Sequence, residues 1–214
     1  MIIVIIGFTG QGKSTLALHL ARRADTRVIF DPRTQFTGYN VLPDAAGLYS
    51  LLDTEAEIIV QPGRGRDVGI VFDETCSALA EWIEDNPLER VALLVDEARL
   101  TGLDSKAVSL NFDWIVRSAR EGSPIDVIIT CHRPVDCSTN IRAISNRIIL
   151  FQVKLPLDLG VIEEQCGDEV AERVKSLLDR QFLTWNNSRQ QFRLVTDPAS
   201  WFVRISESPT VGSV

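Results

Sequence analysis

The sequence predicts an α/β fold built on a mostly parallel central sheet flanked by helices. Three observations carry that prediction. Short apolar runs alternate along the chain with amphipathic stretches, the pattern of repeated strand–helix–strand units. Several runs, IIVII at 2–6 and VALLV at 91–95 among them, are apolar without alternation, as strands covered on both faces must be. The first run then passes directly into a glycine-rich segment that opens a helical stretch.

Taken in order, strands are expected at 2–6, 27–30 (RVIF), 57–60 (EIIV), 91–95, 125–131 (IDVIITC) and 147–152 (RIILFQ). Helices are expected at 13–23, 46–53, 72–85, 106–120, 138–144, 157–165 and 168–179. The character changes after 180: FLTW, QFRLV and WFVRI read as short strands, with NNSRQ as a hairpin turn. The small polar residues 206–214 read as a loose tail. Without repeats or a linker, residues 1–205 are expected to form one domain.

The 214 residues are 45% hydrophobic and 24% charged, which suffices for a core and excludes disorder along the whole chain. No apolar run approaches the ~20 residues of a bilayer-spanning helix, so no membrane span is expected. The first apolar run has no basic region before it, and no signal peptide is expected. Cys76, Cys131, Cys137 and Cys166 show no paired spacing and are expected as free thiols in a reducing cytoplasm. His19 and His132 are far apart and lack a CxxC partner, so no zinc site is expected. The net charge of −7 argues against a nonspecific nucleic-acid coat but leaves room for a local basic channel. Of the 22 basic residues 18 are Arg, the side chain suited to forked phosphate contacts.

Gly7-Phe8-Thr9-Gly10-Gln11-Gly12-Lys13-Ser14 fits G-x-x-x-x-G-K-[ST], the Walker A pattern, between a strand and the helical stretch that begins at Thr15. Glycines let backbone N–H groups curl around phosphate oxygens, and the helix N-terminus adds partial positive charge. Lys13 is expected to reach the β- and γ-phosphates of ATP, and the Ser14 hydroxyl to ligate Mg²⁺. The strand 91–95 ends in Asp96-Glu97, a Walker B-like pair. Asp96 is placed to hold the Mg²⁺ shell and Glu97 to polarise a water for in-line attack. Regulatory GTPases need an N-K-x-D segment, which is missing, and kinases use a substrate nucleophile in place of a water-activating Glu. The pair therefore favours hydrolysis by water within a RecA-like P-loop NTPase domain.

Three further segments carry a family resemblance. VIFDP at 28–32, the stretch from Arg120-Glu121-Gly122 through the strand to Thr130-Cys131-His132-Arg133-Pro134, and Asn140-Ile141-Arg142 through Arg147-Ile148 resemble, in this order, signatures of the FtsK/HerA superfamily of DNA-pumping ATPases. With the two nucleotide motifs they span residues 1 to about 152. The chain departs from that pattern at His132, where the superfamily usually has a sensor Gln. His132 could bond in the same place, with a charge that depends on pH, or be a structural His. A bare motor of this size resembles the genome-packaging ATPases of tailless, icosahedral, often membrane-containing DNA viruses. That resemblance implies a pentameric or hexameric ring of identical subunits pumping double-stranded DNA in the host cytoplasm, with a capsid vertex protein as a further partner.

It also implies an arginine reaching a neighbour's γ-phosphate, with Arg142 the first candidate and Arg120, which shares a helix face with Arg117, the second. The loop Gln61–Arg66 carries Arg64 and Arg66, placed to touch DNA phosphates without reading bases. For each of these arginines an ordinary surface role is the competing reading. Two other functions stay open: a P-loop kinase or nucleotide-binding regulator of a small molecule, and a morphogenesis or secretion ATPase.

Overall fold

A computed structural model describes residues 1–104 and 108–197. The elements in chain order are β1 (Ile2–Ile6), α1 (Lys13–Ala21), β2 (Thr26–Phe30), β3 (Val41–Leu42), α2 (Leu48–Leu52), β4 (Glu57–Val60), α3 (Val68–Asp85), β5 (Val91–Val95), α4 (Leu110–Glu121), β6 (Ile125–Cys131), α5 (Thr139–Ile144), β7 (Arg147–Leu150), α6 (Pro156–Cys166), α7 (Asp168–Lys175), β8 (Phe182–Asn186) and β9 (Gln191–Val195). Short 3₁₀ turns at Ala98–Thr101 and Pro134–Asp136 follow β5 and β6.

The strands form one nine-stranded sheet in the order β3-β4-β2-β5-β6-β1-β7-β8-β9. It is parallel from β3 through β7, and β8 and β9 close it as an antiparallel hairpin. In β1, Ile2, Val4 and Ile6 face a core shared with α2, α3, α4, α6 and α7, while Ile3 and Ile5 face Leu16, Ala17 and Leu20 of α1. All five β1 residues are buried. Both faces are covered, which is why β1 and β5 are apolar at every position and not at every second one.

The predicted boundaries shift for physical reasons. Helix α3 starts four residues before the expected 72, because the Asp67 side chain caps it by accepting the Ile70 N–H at 3.0 Å. β7 stops at Leu150, short of the expected 152. Helix α7 ends at Lys175 and not at 179. β3 is a two-residue strand, too short to leave a pattern in the sequence. The expected strand 201–205, the tail 206–214 and the start of the helix expected at 106 lie outside the described residues. Among the described residues, no helix is long and apolar enough to cross a membrane.

Candidate active site

In a parallel sheet the carboxyl ends of the strands share one edge, and ligands gather there. Here β1, β2, β5 and β6 bring the glycine-rich loop, Asp31, Asp96-Glu97 and Thr130–His132 to that edge. Leaving β1, the chain passes so close to its surroundings at Gly7 that a Cβ would stand 2.5 Å from Gln11 Oε1 and 2.6 Å from the Phe151 Cβ. Only hydrogen fits. The loop then turns into α1 through Gly12, whose φ of 95° strains any side-chain-bearing residue. Gln11 braces the loop by accepting the Phe8 N–H at 2.7 Å and donating to the Gln152 carbonyl at 3.1 Å. The first intrahelical bond of α1 runs from Leu16 N–H to the Gly12 carbonyl. The preceding N–H groups of Lys13, Ser14 and Thr15 have no acceptor within the helix, the arrangement that receives an anion.

The acidic pair is interlocked with this loop. Asp96 is 1% exposed, and its Oδ1 accepts from Thr130 Oγ1 at 2.7 Å and from Ser14 Oγ at 3.3 Å. Its Oδ2 is buried without any hydrogen-bond partner. Thr130 in turn accepts the Glu97 N–H at 3.1 Å, so one hydroxyl fixes both acids. Glu97 sits in the left-handed region, with φ 61°, a costly conformation for a side-chain-bearing residue. Its Oε1 meets His132 Nε2 in a short contact, and its Oε2 lies 3.9 Å from Arg33 Nη2. His132 Nδ1 faces Thr9 Oγ1 at 3.5 Å, which ties the acid to the loop across the cleft. Lys13 is buried and donates to the Phe8 carbonyl at 3.1 Å.

Burial shapes the charges. It pushes the Lys13 ammonium below its ordinary pKa, against the opposing pull of Glu97. Burial also raises the Asp96 carboxyl, with the Thr130 hydrogen bond acting in the other direction. All four cysteines are buried free thiols, and burial raises each, Cys137 and Cys166 to about 12, so none is a ready nucleophile.

A cavity of about 260 Å³ lies between these groups, lined by Lys13, Ser14, Arg33, Gln35, Glu97 and His132 among others. A second, of about 410 Å³, shares Gly10, Gly12 and Thr15 with the first and extends to Leu16, Phe151, Arg180 and Phe182. The two adjoin across the loop, the first bordered by Lys13, Arg33, hydroxyls and the one acid Glu97, the second by Leu16, Phe151 and Phe182 beside Arg180. A ligand with a phosphate chain at one end and a flat apolar group at the other matches that division.

The remaining candidates fall elsewhere. Arg142 on α5 is 6% exposed, and its guanidinium donates to the Pro134 and Cys137 carbonyls, to Gln165 Oε1 at 2.8 Å and to Thr139 Oγ1 at 3.3 Å. Held this way its guanidinium is committed to acceptors within its own chain. Arg120 is exposed in the last turn of α4, near the Pro124–Val91 contact, at the opposite edge of the sheet from the cleft. Arg117 on the same helix pairs with Asp113 at 2.8 Å. The Arg64/Arg66 loop follows β4 at the cleft edge. Arg64 is exposed, while Arg66 is held by Asp44 at 2.9 Å.

Thr130, which fixes both acids, and Arg33, which faces Glu97, carry no role in the sequence reading. Both lay within segments that were noticed, TCHRP and the residue after DP. Their contacts depend on strand register and on a turn, which a linear pattern does not display.

The sequence matches no family model and no curated protein. Solved structures do match. The genome packaging NTPase B204 of Sulfolobus turreted icosahedral virus 2, in complex with ATP-gammaS, superposes with a TM-score of 0.74 at 21% identity, covering 90% of this chain and 95% of that one. B204, the DNA-packaging ATPase from Sulfolobus turreted icosahedral virus, gives 0.72 at 22% identity, with 90% and 95% covered. VirB4 of Thermoanaerobacter pseudethanolicus gives 0.65 at 11% identity, with 94% and 90% covered. At these identities the likeness shows the fold. The chain has the α/β fold of these P-loop NTPases, in keeping with the superfamily resemblance read from its motifs.

Proposed function

We propose that the chain is a Mg²⁺-dependent ATPase that moves double-stranded DNA, and that it serves as the genome-packaging motor of a tailless icosahedral virus. The observation that carries the ATPase reading is the convergence of Lys13, Ser14 and Glu97 on one cleft, with Asp96 bonded to Ser14 beneath it and the Asp96 Oδ2 buried and unpartnered. A buried carboxylate oxygen without a donor costs stability unless something completes it. Set beside the Ser14 hydroxyl, it fits a hard divalent cation with oxygen ligands. Ser14 and Asp96 would hold Mg²⁺, which would neutralise charge on the bound phosphates.

The chain's own groups supply the rest. The N–H groups at the start of α1 and the Lys13 ammonium hold the phosphate chain. Glu97 orients a water and takes its proton as the water oxygen bonds to the γ-phosphorus; the bond to the β-bridging oxygen breaks, and ADP leaves with the electron pair. The nucleoside lies over Thr15 in the apolar end of the cleft, beside Phe151, Phe182 and Arg180. A ring of identical subunits in the host cytoplasm, docked at a capsid vertex, is the assembly this reading implies. The fold shared with packaging NTPases supports it.

The test is ATP turnover with and without linear duplex DNA. The expected result is Mg²⁺-dependent hydrolysis stimulated by duplex of any sequence, with an effect that falls steeply as salt rises. Turnover that needs a small-molecule acceptor, or an assembled oligomer indifferent to DNA, would overturn the DNA-motor reading.

A further inference from the structure

Glu97 must be free to orient a water, yet both of its oxygens are attended. Oε1 meets His132, and Oε2 faces the Arg33 guanidinium at 3.9 Å. Arg33 is held there by its backbone. It follows β2 in a turn organised by Asp31, which is fully buried and accepts the Arg33 N–H at 3.2 Å, the Phe36 N–H at 2.8 Å and Gln61 Nε2 at 2.9 Å. Pro32 fixes one dihedral of that turn, and Thr34 takes a φ of 54°. The Arg33 side chain itself is 46% exposed and lines the same cavity as Lys13 and Ser14. A braced backbone carrying a half-free guanidinium is the opposite of Arg142, whose guanidinium is committed within the fold.

The charges then decide where Arg33 goes. A single carboxylate oxygen at 3.9 Å is a loose partner, beyond ordinary hydrogen-bond reach. A terminal phosphate entering the cavity offers several acceptor oxygens and more negative charge, and the planar guanidinium fork matches phosphate better than it matches one oxygen.

We infer that Arg33 is a γ-phosphate ligand acting within its own subunit, its guanidinium moving from Glu97 to the phosphate when ATP binds. The transfer takes the guanidinium away from Glu97 Oε2, which frees that oxygen toward the attacking water when a γ-phosphate is present. Hydrolysis proceeds as above, and loss of the γ-phosphate returns Arg33 to Glu97. This inference rests on the nucleotide-binding reading of the same cleft.

The experiment compares equilibrium binding of ATPγS and of ADP, each with Mg²⁺, to the wild type, Arg33→Ala, Arg33→Lys and Lys13→Ala. Arg33→Ala should weaken ATPγS by about 10–100-fold, as expected for a lost charge-assisted contact, and leave ADP within about twofold. Arg33→Lys should recover part of the loss, because a point cation replaces a fork. Equal weakening of both nucleotides, or of neither, would overturn the inference. Lys13→Ala separates the two levels: if it leaves both affinities intact, the nucleotide site itself is wrong. Mixing Arg33→Ala with Lys13→Ala protein gives the second check. Action within one subunit predicts no recovery of turnover, and recovery would place Arg33 in a neighbour's site and overturn the inference.

Discussion

The two edges of the sheet treat buried charge in opposite ways. At the amino edge, Asp126 near the start of β6 is 7% exposed, and both its oxygens are matched: Oδ1 by the Met1 amino group at 3.0 Å and Oδ2 by Arg90 at 3.0 Å. At the carboxyl edge, Asp96 is still more buried, yet one oxygen takes two donors and the other none. Glu97 beside it sits at a positive φ between the His132 imidazole and the Arg33 guanidinium. One edge closes its charge set within the chain and the other leaves it open. An incomplete set is tolerated where a ligand completes it, and this is the physical sense in which the carboxyl edge is a site and the amino edge is architecture.

That contrast can be broken or sharpened by substitution at each edge. The largest effect is expected from Lys13→Ala, which should weaken ATP binding by at least about 100-fold in titration calorimetry, the loss of a buried cation from the phosphate cradle, while circular dichroism checks that the chain is folded. Asp126→Asn should do the reverse. It breaks a mostly buried ion-pair set and should cost about 1–3 kcal/mol in urea unfolding, since its partners are partly solvated, with ATP affinity unchanged.

A smaller effect concerns the pH dependence of stability. Because burial lowers the Lys13 pKa, the fold holds the ammonium less well than the unfolded chain does. The penalty is present in full below the lowered pKa and fades as pH rises from there toward the ordinary Lys value of about 10.4. Lys13→Met should therefore be more stable than wild type at neutral pH without nucleotide, and the advantage should shrink at alkaline pH; urea midpoints at both pH values measure it. The smallest effect belongs to the Arg64/Arg66 loop. Replacing both arginines by Ala should lower the salt-sensitivity slope of duplex binding by about one to two units without altering ATP affinity, and an unchanged slope would remove this loop from the DNA path.

The open edge was the more legible of the two in the sequence. The glycine loop and the Asp-Glu pair each follow a strand directly, so local order alone places Lys13, Ser14, Asp96 and Glu97 at strand ends. The β8–β9 hairpin was readable for a similar reason, since NNSRQ interrupts two apolar runs. What escaped depends on three-dimensional neighbours. Arg142 looked available because a sequence does not show that a 3₁₀ turn and α6 will surround its guanidinium with acceptors. Thr130 gains its meaning from the β5–β6 register, which sets it beside Asp96. Arg33 gains its position from the Asp31 turn, whose third partner, Gln61, lies 30 positions along the chain.

The most direct test of the account is Glu97→Gln, measured for ATP binding and for turnover in the same preparation. Gln keeps the size of Glu97 but cannot accept the water's proton. The account predicts ATP affinity within a few-fold of wild type and hydrolysis reduced by about 10²–10⁴-fold, the range for loss of a general base. Hydrolysis at the wild-type rate would contradict it, because the acid held open between His132 and Arg33 would then have no part in the reaction.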